Sequence, residues 1–292
     1  TISFEDPIDS SNMNPSEWLE IATLNESNYD KYDGFVVLHG SDTMAYTASA
    51  LSFMFDGLKK PVIITGSQLP IGTIRTDGKE NLITAIEIAA SKMRNGEPII
   101  QEVAIYFEYH LYRGNRSTKD SATNFEAIKS PNLVELATAG VHIEYHKKML
   151  YRTKAASFAV QKSLNGRVGL IKLYPGIDFS IYKSVFDRSK VDGIVLETFG
   201  AGNAPKSADL EAMCKEFISS GGHILNITQC SSGKVEHGMY ETSSVFAKLG
   251  VLSGGDMTSE AAVTKMMVAL GKDSEEETLK MLSENIRGEV SF

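Results

Sequence analysis

The sequence predicts an α/β protein of two domains, each with a mainly parallel sheet flanked by helices. Three observations lead there. Strand-length runs of aliphatic and β-branched residues at 34–38, 61–65 and 103–107 alternate with helical stripes. The same alternation resumes at 168–173, 193–196 and 223–227. Between the two sets, helical and strand periodicity fades, and Lys147, Lys148, Arg152 and Lys154 cluster in a stretch that reads as an interdomain connection, with room for a hairpin of its own. Strands separated by helices of this length imply right-handed crossovers and parallel pairing. The expected organisation is a first domain over 1–146, a connection over 147–166 and a second domain over 167–292.

Taken in order, the chain opens on a polar turn, Asp9-Ser10-Ser11-Asn12, after which Pro15 suits the first position of a helix through Trp18 and Ile21. The run 34–38 lacks charge, as a strand buried on both faces does. Met44, Ala48, Leu51 and Phe55 then fall on one helical stripe, which Gly57 stops. After the strand at 61–65 comes a loop, Gly66-Ser67-Gln68-Leu69-Pro70. Asp77 with Glu80 three residues on has the form of a capping box, and Leu82, Ile86 and Ala89 continue a helical stripe. In the second set, Ser207 heads a helix whose core face carries Leu210, Cys214, Phe217 and Ile218, and Ser274 with Glu277 opens the last helix.

Composition narrows the function. Hydrophobic residues make up 42% and charged residues 23%, the balance of an ordinary globular protein, and the formal net charge of -8 argues against a nucleic-acid or anionic-membrane surface. No apolar run is long enough to span a bilayer, and the first residues carry neither a basic region nor an apolar signal core, so the expected location is cytoplasmic. Two cysteines, Cys214 and Cys230, make no disulfide framework, and the six histidines show no metal-ligand spacing. His39, inside the strand-end segment, reads first as a structural hydrogen-bonding residue.

Chemistry-bearing residues gather at strand ends. Ser41, Asp42 and Thr43 lie between the first run and its helix, at the edge where open α/β sheets bind ligands, although each is also a good helix cap. Tyr112-Arg113-Gly114-Asn115-Arg116-Ser117-Thr118-Lys119 packs three cations into a short loop, which serves equally as a solvated surface or an anion site. Gly200-Ala201-Gly202-Asn203-Ala204-Pro205 lacks the third glycine of a dinucleotide loop and has Pro205 where the helix would start, so no nucleotide cofactor is expected.

The segments His39-Gly40-Ser41-Asp42-Thr43-Met44-Ala45-Tyr46-Thr47-Ala48-Ser49-Ala50, Thr65-Gly66-Ser67-Gln68, Tyr112-Arg113-Gly114-Asn115-Arg116, Gly200 to Pro205 and Thr228-Gln229-Cys230 resemble type I, cytoplasmic bacterial L-asparaginases. The likeness runs on to Arg287-Gly288-Glu289. It implies two α/β domains, assembly as a homodimer or homotetramer, and hydrolysis of the side-chain amide of L-asparagine to aspartate and ammonia without metal or cofactor. By motif, the hydroxyl–carboxylate–amine triad of the family falls on Ser41, Asp42 and Lys119. The substrate-gripping acid and hydroxyl fall on Asp9 and Ser10, with Ser41 and Asp42 also touching the substrate. Asp9 and Asp42 suit an α-ammonium; Ser10 and backbone N–H groups suit an α-carboxylate.

Three departures accompany the resemblance. The family's attacking threonine sits in a Gly-Gly-Thr-Ile segment at the end of its first strand, with a tyrosine on a nearby mobile loop. No Gly-Gly-Thr-Ile occurs in these 292 residues, and the expectation is an incomplete record of the protein, since losing a central strand would leave backbone unpaired. The triad hydroxyl, threonine in most of the family, is Ser41. Where the family's regulatory asparagine site uses an arginine, the matching residue is Glu197, although Thr118 and Cys230 fit that site's pattern. Two other functions compete: the asparaginase-like subunit of a tRNA-dependent amidotransferase, and a catalytically inactive asparagine-binding protein.

Overall fold

Continuous apolar runs become the strands that carry the architecture in this computed structural model, which describes residues 1–236 and 241–291; Phe292, the end of the expected second domain, lies outside them. The chain divides into two units, Thr1–Lys162 and Ser163–Phe292.

The first unit is built on six strands: Phe35–Leu38 (β1), Val62–Thr65 (β2), Val103–Phe107 (β3), His110–Arg113 (β4), Ala137–Ala139 (β5) and Ile143–Tyr145 (β6), hydrogen-bonded in that order. β1, β2 and β3 are mutually parallel, with Phe35 opposite Val62 and Leu38 opposite Thr65. β4, β5 and β6 add antiparallel, so the sheet is mixed rather than mainly parallel. β2 and β3 are buried along their whole length, as their unbroken apolar runs require. β1 is the sheet's edge, only half-buried, and its Leu38 is 64% exposed.

Helix Pro15–Asn28 (α1) starts at Asn14, where a capping box with Glu17 closes around Pro15. Helix Met44–Met54 (α2) is buried almost all round, not on one stripe: Ala45, Ala48, Ser49, Ala50 and Ser52 are all inside. Small residues let neighbours approach this closely. Helix Gly78–Ala90 (α3) covers the sheet with Ala85 and Ile88, which join Ile63, Ala104 and Tyr106 in one core.

The stretch expected to connect the domains begins inside the first unit. Tyr151 N donates to Glu102, Met149 O accepts from Arg113, and Phe158 stacks on Tyr29. Ala159 and Val160 pair antiparallel with Asp56 and Phe55, so this segment forms a ladder with the two residues that follow α2 rather than a hairpin of its own.

In the second unit, Val168–Lys172 (β7), Gly193–Thr198 (β8), His223–Thr228 (β9) and Leu252–Ser253 (β10) form an all-parallel sheet in that order. Helices Ala208–Ser219 (α4), Glu241–Leu249 (α5), Ser259–Ala269 (α6) and Glu275–Ser283 (α7) follow strands or each other. Ser207 and Ser274 cap α4 and α7 as the sequence predicts. Leu210, Cys214 and Phe217 pack on Ile194, Leu196 and Ile224.

Candidate active site

Residues 39–43 leave the C-terminal end of β1 and enter α2, which puts their polar groups at the ligand-binding edge of a parallel sheet. The crossing is tight. A Cβ on Gly40 would stand 2.5 Å from Ser10 Oγ, and one on Gly66 would stand 2.0 Å from His39 O. Thr43 occupies the N-cap of α2 without capping it; its hydroxyl donates to Ser10 O at 2.6 Å. The helix-capping role open to Ser41 and Asp42 is not taken either, and both turn to Lys119.

α2 also positions Lys119. Ser49 Oγ donates to Gly114 O at 3.3 Å, and Gly114 lies so close to Ala48 that a Cβ there would meet the Ala48 Cβ at 3.1 Å. Arg116, 2% exposed, donates from Nη2 to Asn132 O at 3.0 Å, and Ser117 Oγ donates to Arg113 O at 2.7 Å. The chain then runs straight into a two-residue antiparallel ladder, Thr118–Lys119 with Ile128–Lys129. One helix thus carries Ser41 and Asp42 at its start and supports the loop that delivers the lysine.

Lys119 Nζ donates to Ser41 Oγ at 3.0 Å and to Asp42 Oδ1 at 2.5 Å. The lysine side chain is 18% exposed and the aspartate 60%. An ion pair this open to water is worth about 0–1 kcal/mol, so stability alone does not account for it. Ser41 Oγ–H donates to Gln68 Oε1 at 2.8 Å, and Gln68 Nε2 donates to Asn124 O at 3.0 Å. The triad residues predicted from the sequence therefore meet, and Gln68 joins them.

Of the two predicted substrate contacts in the opening turn, Ser10 is buried against Gly40 and held by Thr43. Asp9 keeps its bonds local: Oδ1 accepts from Ser11 N and Ser11 Oγ, both at 2.9 Å, which holds its carboxyl below the usual range. His39 has the structural role expected of it. Nδ1 lies 2.7 Å from Gly40 O, which can only accept, so Nδ1 carries the hydrogen. Nε2 lies 2.8 Å from Thr47 Oγ1, which itself accepts from Trp18 Nε1 at 3.0 Å. Burial holds the His39 pKa down, against the raising effect of the Gly40 carbonyl.

Sequence reasoning missed what Gln68 and Asp77 do. Gln68 lies just past the C-terminal end of β2, the signal that could have found it. Asp77 has the form of a capping residue and stands at the N-cap of α3, yet its side chain makes no capping bond. Its Oδ2 instead accepts from Gln68 N at 2.8 Å and its Oδ1 from Leu69 N at 3.1 Å. A forgone cap costs about 1 kcal/mol. Among the described residues, no cluster of three or more His, Cys, Asp or Glu is placed to hold a metal.

In the second unit, Glu197 is 7% exposed and its carboxylate is occupied. Ser259 Oγ, at the start of α6, donates to Oε1, and Lys172 Nζ, its cross-strand neighbour, lies 3.4 Å from Oε2.

The family model described as "Asparaginase, N-terminal" matches residues 2–151, and "Glutaminase/Asparaginase C-terminal domain" matches 167–282. L-asparaginase 1 of Escherichia coli (strain K12) is 42% identical over 285 residues, covering 97% of this chain and 82% of that protein. The 60 kDa lysophospholipase of Mus musculus is 41% identical over 287 residues, covering 97% of this chain but 50% of that protein. The crystal structure of L-asparaginase I from Vibrio cholerae superposes with a TM-score of 0.88 at 42% identity, covering 98% of this chain and 84% of that one. Both domain models match in order, and the likeness spans nearly every residue: the chain belongs to the asparaginase family.

Proposed function

We propose that this protein is an L-asparagine amidohydrolase, releasing L-aspartate and ammonia, with Ser41, Asp42 and Lys119 as its proton relay. The observation that carries this reading is the lysine Nζ shared between a serine hydroxyl and an aspartate at the sheet edge, in a chain 42% identical to a protein named L-asparaginase 1. An amide is a poor electrophile, so its hydrolysis needs an activated hydroxyl and a proton for the departing amine. In its amine form, Lys119 Nζ takes the proton of Ser41, whose O–H turns to it from Gln68 Oε1, as Ser41 takes one from the attacking O–H. Asp42 then holds the ammonium, which returns the proton to the leaving nitrogen as ammonia departs.

The Gly-Gly-Thr-Ile segment that the resemblance associates with the attacking threonine does not occur in the 292 residues. The open edge of β1, whose C-terminal end leads into Ser41, is where a parallel strand bearing such a hydroxyl would pair. Asp9 and Asp42 are proposed to meet the α-ammonium of asparagine, and Ser10 its α-carboxylate. A homodimer or homotetramer, a cytoplasmic location and the absence of a metal or organic cofactor belong to the same proposal. The net charge of -8 favours a small-molecule substrate over nucleic acid, and among the described residues no helix is long and apolar enough to cross a membrane.

The test uses the full product of the gene encoding these residues. Ammonia release from L-asparagine should exceed that from L-glutamine, whose extra methylene is worth about 1–3 kcal/mol of discrimination. Equal kcat/KM for the two amides would contradict the selectivity for asparagine, and no ammonia release from asparagine would contradict the assignment.

A further inference from the structure

Asp77 is more than nine-tenths buried, stands at the N-cap of α3, and does not cap it. Both carboxylate oxygens point the other way, onto the backbone N–H groups of Gln68 and Leu69. Asn81, one turn along the same helix and 2% exposed, reinforces the grip: its Nδ2 donates to Gly66 O at 3.0 Å and to Asp77 Oδ2 at 3.3 Å. Thr76 Oγ1 adds a bond to Leu69 O at 2.9 Å. The start of α3 thereby holds the loop 66–69 from behind. What that loop presents forward is the Gln68 amide, with Oε1 on the Ser41 hydroxyl and Nε2 on Asn124 O.

A hydroxyl rotates freely unless its partners fix it. Ser41 Oγ has two side-chain partners, Lys119 Nζ donating and Gln68 Oε1 accepting. Gln68 can serve only if its backbone is fixed, and the charged acceptor pair of Asp77 fixes it. We propose that Asp77 is a positioning residue that acts through Gln68 to fix the Ser41 hydroxyl, holding its O–H on Gln68 Oε1 and so presenting an Oγ lone pair to Lys119 Nζ. This rests on the function proposed above and adds to it the residue pair that sets the hydroxyl's direction. Asparagine at position 77 would not serve, since one of its two side-chain groups would turn a donor toward a backbone N–H.

The test is a double-mutant cycle in the full gene product, combining Asp77→Ser with Gln68→Met. Serine is a good helix cap, so Asp77→Ser keeps or improves the start of α3 while removing the paired acceptors. Asp77→Ser should lower kcat for L-asparagine about tenfold or more, with KM rising less than kcat falls; Tm should fall only modestly, the new cap partly offsetting the acceptors lost by Gln68 N and Leu69 N. In the Gln68→Met background it should lower kcat no further. Unchanged kcat in Asp77→Ser, or losses that multiply across the two substitutions, would overturn the proposal. A crystal structure of Asp77→Ser decides the matter without turnover. Gln68 Oε1 beyond about 3.5 Å of Ser41 Oγ supports the proposal, and retention of that bond overturns it. Wild-type protein without amidase activity would refute the function above, leaving Asp77 to be judged on that structure.

Discussion

Lys119 Nζ lies 3.0 Å from Ser41 Oγ although the two residues are 78 positions apart. The separation is closed by α2, which begins beside Ser41 and packs, through Ala48 and Ser49, on the Gly114 turn that leads to the lysine. Substitutions that disturb the packing of α2 reach the proton relay without touching it.

The same loop is anchored behind the site by a buried ion pair. Arg113 Nε meets Glu102 Oε2 at 2.6 Å with both side chains under a tenth exposed, and Glu102 Oε1 accepts from Tyr151 N at 2.7 Å. Removing one partner strands the other charge in a dry environment. Arg113→Met should cost about 3–5 kcal/mol, read from urea denaturation at constant m-value. A loss below about 1 kcal/mol would show that water reaches Glu102.

Burial depresses the His39 pKa, so at a pH between its folded and unfolded values the unfolded chain binds the proton and the folded one does not. Stability linked to His39 is thus present above the unfolded value, about 6.5, and falls as pH drops through that window. Protonation would also turn Nε2 from acceptor to donor, so the Thr47 O–H would lose Nε2 as its acceptor. Wild type should lose more Tm between neutral and mildly acid pH than His39→Gln does. Parallel Tm–pH curves for the two proteins would contradict this.

Glu197 stands where the family resemblance places the cation of a regulatory asparagine site, and its carboxylate is committed to Ser259 and Lys172. Exchanging a charge-assisted pair with the ligand's carboxylate for repulsion costs at least about 2–3 kcal/mol, more than tenfold in affinity. The velocity curve for L-asparagine should be hyperbolic. A sigmoidal curve abolished by substitution at Thr118 or Cys230 would contradict this.

The legible parts of the fold were those written in unbroken apolar runs. Val62–Thr65, Val103–Phe107 and His223–Thr228 are buried at every residue, and their sequences leave little alternative. The antiparallel half of the first sheet was not legible. His110–Arg113 alternates half-buried and buried residues, and the turn before it runs through Glu108 and Tyr109 at positive φ, without the glycine or asparagine that marks a tight hairpin. In the site, Ser41, Asp42 and Lys119 were found by motif. Asp77 was hidden because an aspartate followed three residues later by glutamate spells a helix cap, and only the fold shows its carboxylate turned onto another segment.

The relay is tested most directly by steady-state ammonia release from L-asparagine in Lys119→Met, with circular dichroism and Tm as controls for folding. Methionine keeps most of the lysine stem and removes the group that bonds Ser41 and Asp42. With fold and Tm retained, kcat should fall by about two to four orders of magnitude while asparagine still binds more weakly. A near-normal kcat in that variant would make Lys119 a loop cation and contradict the relay.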